Sequence, residues 1–179
     1  SALGFAGRVR WPTSTGMNRY RRGLYTFFQR TVPYPMLLTF DAADANTSCT
    51  RRERSNTPLQ ALTLWNDPVF FEMAQALGRR VLSKEPEEDA ASRSENELVD
   101  RRLVNLIETC LGRAPRRQER AILHQLYATQ LAALRADDAS AAKVIGDQPL
   151  PDGISRAELG AWIAVARTVM NTDEFITRS

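Results

Sequence analysis

Over most of the second half of the chain, apolar residues recur every three or four positions, the spacing of one helix face. Leu159, Trp162, Ile163, Ala166, Val169 and Met170 form the cleanest such stripe. Val99, Leu103, Leu106, Ile107, Cys110 and Leu111 form a second, and Leu123, Leu126, Tyr127, Leu131 and Leu134 a third. Ser94-Glu95-Asn96-Glu97 and Ser155-Arg156-Ala157-Glu158 fit the pattern of a capping box, in which a hydroxyl and a carboxylate three residues on satisfy each other's backbone N–H. Gly112 and Ala114-Pro115 divide the second stripe from the third. The short turn predicts an antiparallel hairpin, one helix ending near 111 and its partner running to about 135. Residues 136–142 either prolong that helix or fray, and 146–153, with Pro149 and Pro151, are loop.

Upstream, Thr57-Pro58 and Asp67-Pro68 each place a capping side chain before a proline at the first helical position. They predict abutting helices over 58–65 and 68–83, the second with a core stripe of Phe70, Met73, Ala74, Leu77 and Val81. Tyr20, Leu24, Phe27 and Phe28 predict a helix from 18 to about 31, stopped by Val32-Pro33-Tyr34-Pro35. Residues 36–56 read as a long loop, 1–17 as an irregular arm, and 84–93 as a solvated polar linker. No internal repeat and no convincing strand stand out. The pattern predicts a single mainly α domain over 1–179. It is an irregular bundle of five or six helices with an extended N-terminal arm and a long Arg/Asp-rich loop. Its parts are the arm, an Arg-rich segment over 18–83, the linker, and the hairpin with the final helix over 94–179.

Charge alters this picture unevenly. The chain carries a net +3. Residues 1–60 hold nine arginines and three acids, +6, which leaves fifteen basic and eighteen acidic residues, −3, for 61–179. Such a split marks a nucleic-acid or membrane arm, or two parts of one molecule that meet. Arginines interleaved with Trp11 and Tyr20 resemble a single-strand nucleic-acid surface, yet equally suit an arm whose aromatics anchor while its guanidinium groups stay wet. The anchor reading is the expectation, with no nucleic acid as partner, because no stacking motif follows. No apolar run is long enough to span a membrane. No signal peptide is visible at the N-terminus, and the chain reads as a domain cut from something larger.

Candidate chemistry gathers between Thr39 and Val69. Arg51, Arg52 and Arg54 precede the helix start at Pro58, where guanidinium groups and free backbone N–H groups suit a carboxylate or phosphate. The acceptor is either an external anion or Asp41, Asp44 or Glu53 of the same chain. Asp41 and Asp44 form a paired-carboxylate candidate for acid–base work, and with Asn46 an oxygen site for calcium that lacks the alternation and closing Glu of an EF-hand. His124, the one histidine, reads as an edge-of-core residue, and Cys110 as a small core residue. Neither haem attachment nor a Cys/His zinc site fits one histidine and two distant cysteines. Whether Cys49 is free or paired stays open.

The words RRGLYTFFQRTVPYP (21–35), TFDAAD (39–44), CTRRERSNTPLQALTLWNDP (49–68) and LGAWIAVARTVMNTDEF (159–175) resemble a known family. It is the PSD-type C-terminal module of unknown function found in large planctomycete proteins, often beside cytochrome-c-like domains. The resemblance covers most of 19–83 and the last twenty residues. It implies an extracytoplasmic parent with any haem outside this segment, other domains of that parent as partners, and no cofactor here. It supplies no catalytic residue. The expectation is a non-catalytic structural or interaction module. The alternative is a hydrolytic or carbohydrate-active domain using Asp41, Asp44 and Glu53 beside the arginines.

Overall fold

A computed structural model of the chain describes residues 11–29, 32–43, 48–51, 55–83, 94–147 and 149–177. The architecture is mainly α, a helical bundle, and no strand occurs among the described residues. In chain order the α-helices are α1 (Pro35–Thr39), α2 (Pro58–Asn66), α3 (Pro68–Ser83), α4 (Glu95–Leu111), α5 (Arg117–Ala136), α6 (Asp138–Ile145), α7 (Arg156–Met170) and α8 (Asp173–Thr177). The described chain falls into two compact units, Ser1–Gln60 and Ala61–Ser179. The division lies within α2.

Most helix starts obey the capping residues. Ser94 and Glu97 make a full box, the Ser94 N–H donating to Glu97 Oε2 at 2.9 Å and the Glu97 N–H to Ser94 Oγ at 3.4 Å. Asp67 Oδ1 accepts from the Val69 N–H at 2.8 Å, and Ser155 Oγ from the Glu158 N–H at 3.2 Å. The second box is only half formed: the Glu158 carboxylate turns instead to Arg102 of α4, 2.8 Å away. Residues 136–142 neither prolong α5 nor fray. Asp137 ends α5 and caps α6, its Oδ1 accepting from the Ser140 N–H at 3.0 Å.

In the larger unit the core is built around α7. Leu159, Trp162, Ile163, Ala166, Val169 and Met170 are all buried as the stripe predicts, and so are Ala157, Gly160, Ala161 and Val165 on its other sides. The helix packs most extensively on α3 and α5, then on α6, and touches α4 and α8. The stripes of α4 and α5 are buried at Val99, Leu103, Leu106, Ile107, Cys110, Leu123, Tyr127, Leu131 and Leu134. Tyr127 lies against Trp162 with ring centroids 4.8 Å apart.

The α3 stripe holds at Ala74 and Val81, which are buried, and at Phe70 and Leu77, which pack partly buried against the core. Met73 is 44% exposed, and Gly78 and Leu82 are buried instead. The pattern of large apolar residues misses this because the contact is made by small ones. A Cβ on Gly78 would stand 2.9 Å from Ile163 Cγ1 and 3.1 Å from the Ile163 backbone nitrogen, so α3 approaches the α7 backbone itself.

Two other expectations fail in the smaller unit. The helix predicted over 18–31 is replaced by two 3-10 turns, Gly16–Tyr20 and Gly23–Tyr25, and Tyr20, Leu24 and Phe27 are exposed rather than packed on a core. Aromatic residues and Thr26 favour the helix weakly, and the spacing has no apolar surface to bury against. The loop expected over 36–56 opens with α1, because Pro35 occupies the first helical turn instead of ending the preceding segment. The arm is irregular over 11–15, and its residues 1–10 lie outside the described chain, as does the linker over 84–93.

Candidate functional site

The C-terminus of α1 sets the geometry of the candidate carboxylate. Phe40 caps the helix and Asp41 follows with φ 54°, the left-handed region where glycine is usual. The Asp41 N–H donates to the Leu38 carbonyl at 3.3 Å and the Ala42 N–H to the Leu37 carbonyl at 2.8 Å, the paired bonds of a Schellman closure. Aspartate tolerates this conformation better than most residues, and its carboxylate is put to use. Oδ2 accepts from the Ser55 N–H at 2.9 Å and lies 2.8 Å from Ser55 Oγ, fourteen residues on.

Gln60 completes the node from α2. Its Nε2 is 2.9 Å from the Thr39 carbonyl, 3.2 Å from Asp41 Oδ2 and 3.1 Å from Ser55 Oγ. Its Oε1 accepts from the Thr57 N–H at 2.9 Å, while Thr57 Oγ1 accepts from the Gln60 N–H at 3.2 Å. Thr57 and Gln60 therefore form a reciprocal capping box, and Gln60 is 1% exposed. The Thr57–Gln60 spacing was readable in the sequence. The partnership of Asp41 with Ser55 was not, because it depends on one backbone angle.

Chemically the node binds itself. The Ser55 hydroxyl donates to Asp41 and receives from Gln60, and residues 1–60 contain no histidine to take its proton. Asp41 is turned toward backbone and amide donors that hold the loop ends together. Of the other sequence candidates, Arg51 is exposed, and its carbonyl accepts from Cys49 Sγ at 3.3 Å. Asp44, Arg52, Glu53 and Arg54 lie outside the described residues. Cys49 is a free thiol at the surface. Among the described residues no three His, Cys, Asp or Glu side chains gather as a metal site would.

Three further polar features belong to the larger unit. Between α4 and α5 a shallow groove of about 260 Å³ is lined by Glu95, Asn96, His124, Tyr127 and Arg135 with apolar neighbours. Burial, then the nearby Glu158 carboxylate, push the Tyr127 hydroxyl up to about 12, so it stays a proton donor. His124 is half-buried at this edge, and burial raises the core thiol of Cys110 to about 11, leaving it unreactive.

The second feature is a clasp: the Arg167 guanidinium lies 4.2 Å from the Trp65 ring centroid and 5.0 Å from that of Phe71, and donates to the Trp65 carbonyl. Burial lowers its pKa, and its Nε has no partner. The third is Arg113, in the turn between α4 and α5, which reaches Glu119 at 2.8 Å and Glu174 of α8 at 2.5 Å. The hydrogen bond from Arg113 is the main reason the Glu119 carboxyl falls to about 2, and it lowers Glu174 as well. Both features fasten helices.

Comparison with known proteins gives one result. The family model PSD1, described as a protein of unknown function (DUF1553), matches residues 5–127. The match takes in α4 and much of α5, which the resembling words leave out, and ends before the 159–175 segment. No curated protein and no solved structure matches.

Proposed function

Given that the chain belongs to the PSD1 family of proteins of unknown function, we propose that it is a non-catalytic structural or interaction module of a multidomain extracytoplasmic protein. The Asp41–Ser55–Gln60 node is the observation that carries this reading. A catalytic carboxylate must be open to a substrate atom at about 3 Å, whereas Asp41 Oδ2 is engaged by the Ser55 amide at 2.9 Å and the Ser55 hydroxyl at 2.8 Å. The extracytoplasmic setting and the companion domains are supported by the resemblance of residues 21–35, 39–44 and 49–68 to the planctomycete PSD-type module. No cofactor is required by this reading.

The test is a panel of glycoside, ester and phosphoester substrates offered to the purified chain and to Asp41→Asn. The reading expects no turnover by either protein. Turnover by the native chain that Asp41→Asn abolishes, while the two circular dichroism spectra coincide, overturns it in favour of a hydrolytic domain.

A further inference from the structure

The surface over residues 16–28 takes no part in the Asp41 node. Its side chains are of two kinds. Met17 is 82% exposed, Leu24 81%, Phe27 73%, Tyr20 60% and Tyr25 59%. Arg19, Arg21 and Arg22 are exposed beside them. From residue 11 to residue 40 the chain holds four arginines and not one aspartate or glutamate. Five large apolar side chains exposed within eleven residues are more than a water-facing surface ordinarily carries.

Local contacts keep this surface in place. The Arg19 guanidinium carbon lies 5.9 Å from the Tyr20 ring centroid, and that of Arg21 5.9 Å from the Tyr25 ring. Trp11 packs on Phe27 with centroids 6.3 Å apart, and edge-on against Tyr34 at 5.5 Å. A Cβ on Gly23 would stand 3.1 Å from Leu37 Cδ2, so the second 3-10 turn rests close on α1.

We infer that this surface docks on an anionic lipid bilayer as a peripheral, non-spanning contact. It deepens the interaction-module reading by naming one partner, and it fails separately, since loss of lipid binding leaves the non-catalytic reading intact. Charge complementarity selects an anionic partner, because no carboxylate interrupts the arginines. The apolar side chains select lipid. Met17 and Leu24 are the most exposed and have no ring for a base to stack on, as single-strand nucleic-acid surfaces require. Aliphatic and phenyl side chains instead enter the boundary between headgroups and acyl chains, with tyrosines at headgroup level. Each arginine near such a surface strengthens binding by about fivefold, an effect that salt screens. No helix among the described residues is long and apolar enough to cross the membrane, so contact stays at the interface.

Sedimentation of the full chain with vesicles tests the inference. Vesicles of phosphatidylcholine mixed with phosphatidylglycerol should carry the protein down, and vesicles of phosphatidylcholine alone should leave it in solution. Added salt, or Arg21→Gln with Arg22→Gln, should weaken binding on the order of tenfold or more. Leu24→Ser with Phe27→Ser should weaken it by a similar factor at constant salt. These side chains are exposed, so the variants should keep the native circular dichroism spectrum. Failure to sediment with mixed vesicles overturns the inference, as does binding that Leu24→Ser with Phe27→Ser leaves unchanged. Tighter binding to a single-stranded oligonucleotide than to mixed vesicles also overturns it, and assigns the surface to nucleic acid.

Discussion

Replacing Asp41 by glycine and by alanine separates the two things this residue does. Its backbone holds φ 54° to close α1, and its carboxylate receives the Ser55 amide, the Ser55 hydroxyl and the Gln60 amide. Glycine removes the carboxylate but adopts the angle freely. Alanine removes the carboxylate and keeps a Cβ in a region that costs an ordinary residue about 1–2 kcal/mol. Hydrogen bonds to a charged group contribute about 1.5–3 kcal/mol, and some of that is regained when water reaches the vacated donors. Asp41→Gly should therefore destabilise by ~1–2 kcal/mol and Asp41→Ala by ~2–4 kcal/mol. Thermal melts read the global effect. Amide hydrogen exchange at Ser55 reads the local one, and both variants should lose protection there. If Asp41→Gly melts at or above the native midpoint, or if the Ser55 amide stays protected, the carboxylate ties nothing. If alanine and glycine are equal, the angle carries no strain.

Three more outcomes follow from the larger unit. Gly78→Ala places a methyl 3.1 Å from the Ile163 backbone nitrogen, so overpacking of ~1–3 kcal/mol should outweigh the ~1 kcal/mol gain in helix propensity. Gly160→Ala places a methyl 2.7 Å from the Leu134 Cδ1 methyl, with Leu134 Cγ and Val144 Cγ1 at an ordinary 3.9 Å. A side-chain methyl can rotate away where backbone cannot, so its urea midpoint should move less, and equal shifts would refute the close helix approach. Trp162 is 0% exposed, so Trp162→Ala should cost ~3–5 kcal/mol against a smaller loss for Trp11→Ala; the reverse order in urea would displace α7 from the centre. Because the Glu119 carboxyl is held near 2 when folded, well below its ordinary 4.5, its share of stability is full above pH 4.5 and is lost as pH falls toward 2. That share is small, because solvent screens a partly exposed pair. Arg113→Gln should flatten the acid limb of an unfolding titration, and an unchanged limb would show that the pair is not formed in solution.

Helices with large apolar stripes and a capping residue were legible from the sequence. Ser94 with Glu97, Asp67 and Ser155 marked true helix starts, and five of the six predicted α4 face positions are buried, with Leu111 partly so. Where the sequence misled, small residues or single angles decide the structure. On α3, Gly78 shares the buried face with Ala74 and Val81 while Met73 stays outside it, since a contact made by the absence of a side chain leaves no hydrophobic signal. Tyr20, Leu24, Phe27 and Phe28 have helical spacing but no core to receive them, and periodicity alone does not say whether a face is buried. Pro35, which the pattern reads as a stop, starts α1. Of the candidate site, Asp41 was legible as a carboxylate in a loop. Its service to Ser55 was not, because that pairing spans fourteen residues and turns on one positive φ.

The position of α7 in the chain has a consequence for synthesis. The helices it organises, α3 to α6, all precede it, so a ribosome delivers them before the surface they pack on exists. Until residues 156–170 clear the exit tunnel, the inner faces of α3 and α5 have no permanent cover. A nascent chain halted before Arg156 should thus stay loosely collapsed, open to protease and attractive to chaperones that hold apolar segments. Release of those fifteen residues converts it to a packed domain in one late step. The rate of that step is set by closing long-range contacts rather than by forming the helices themselves.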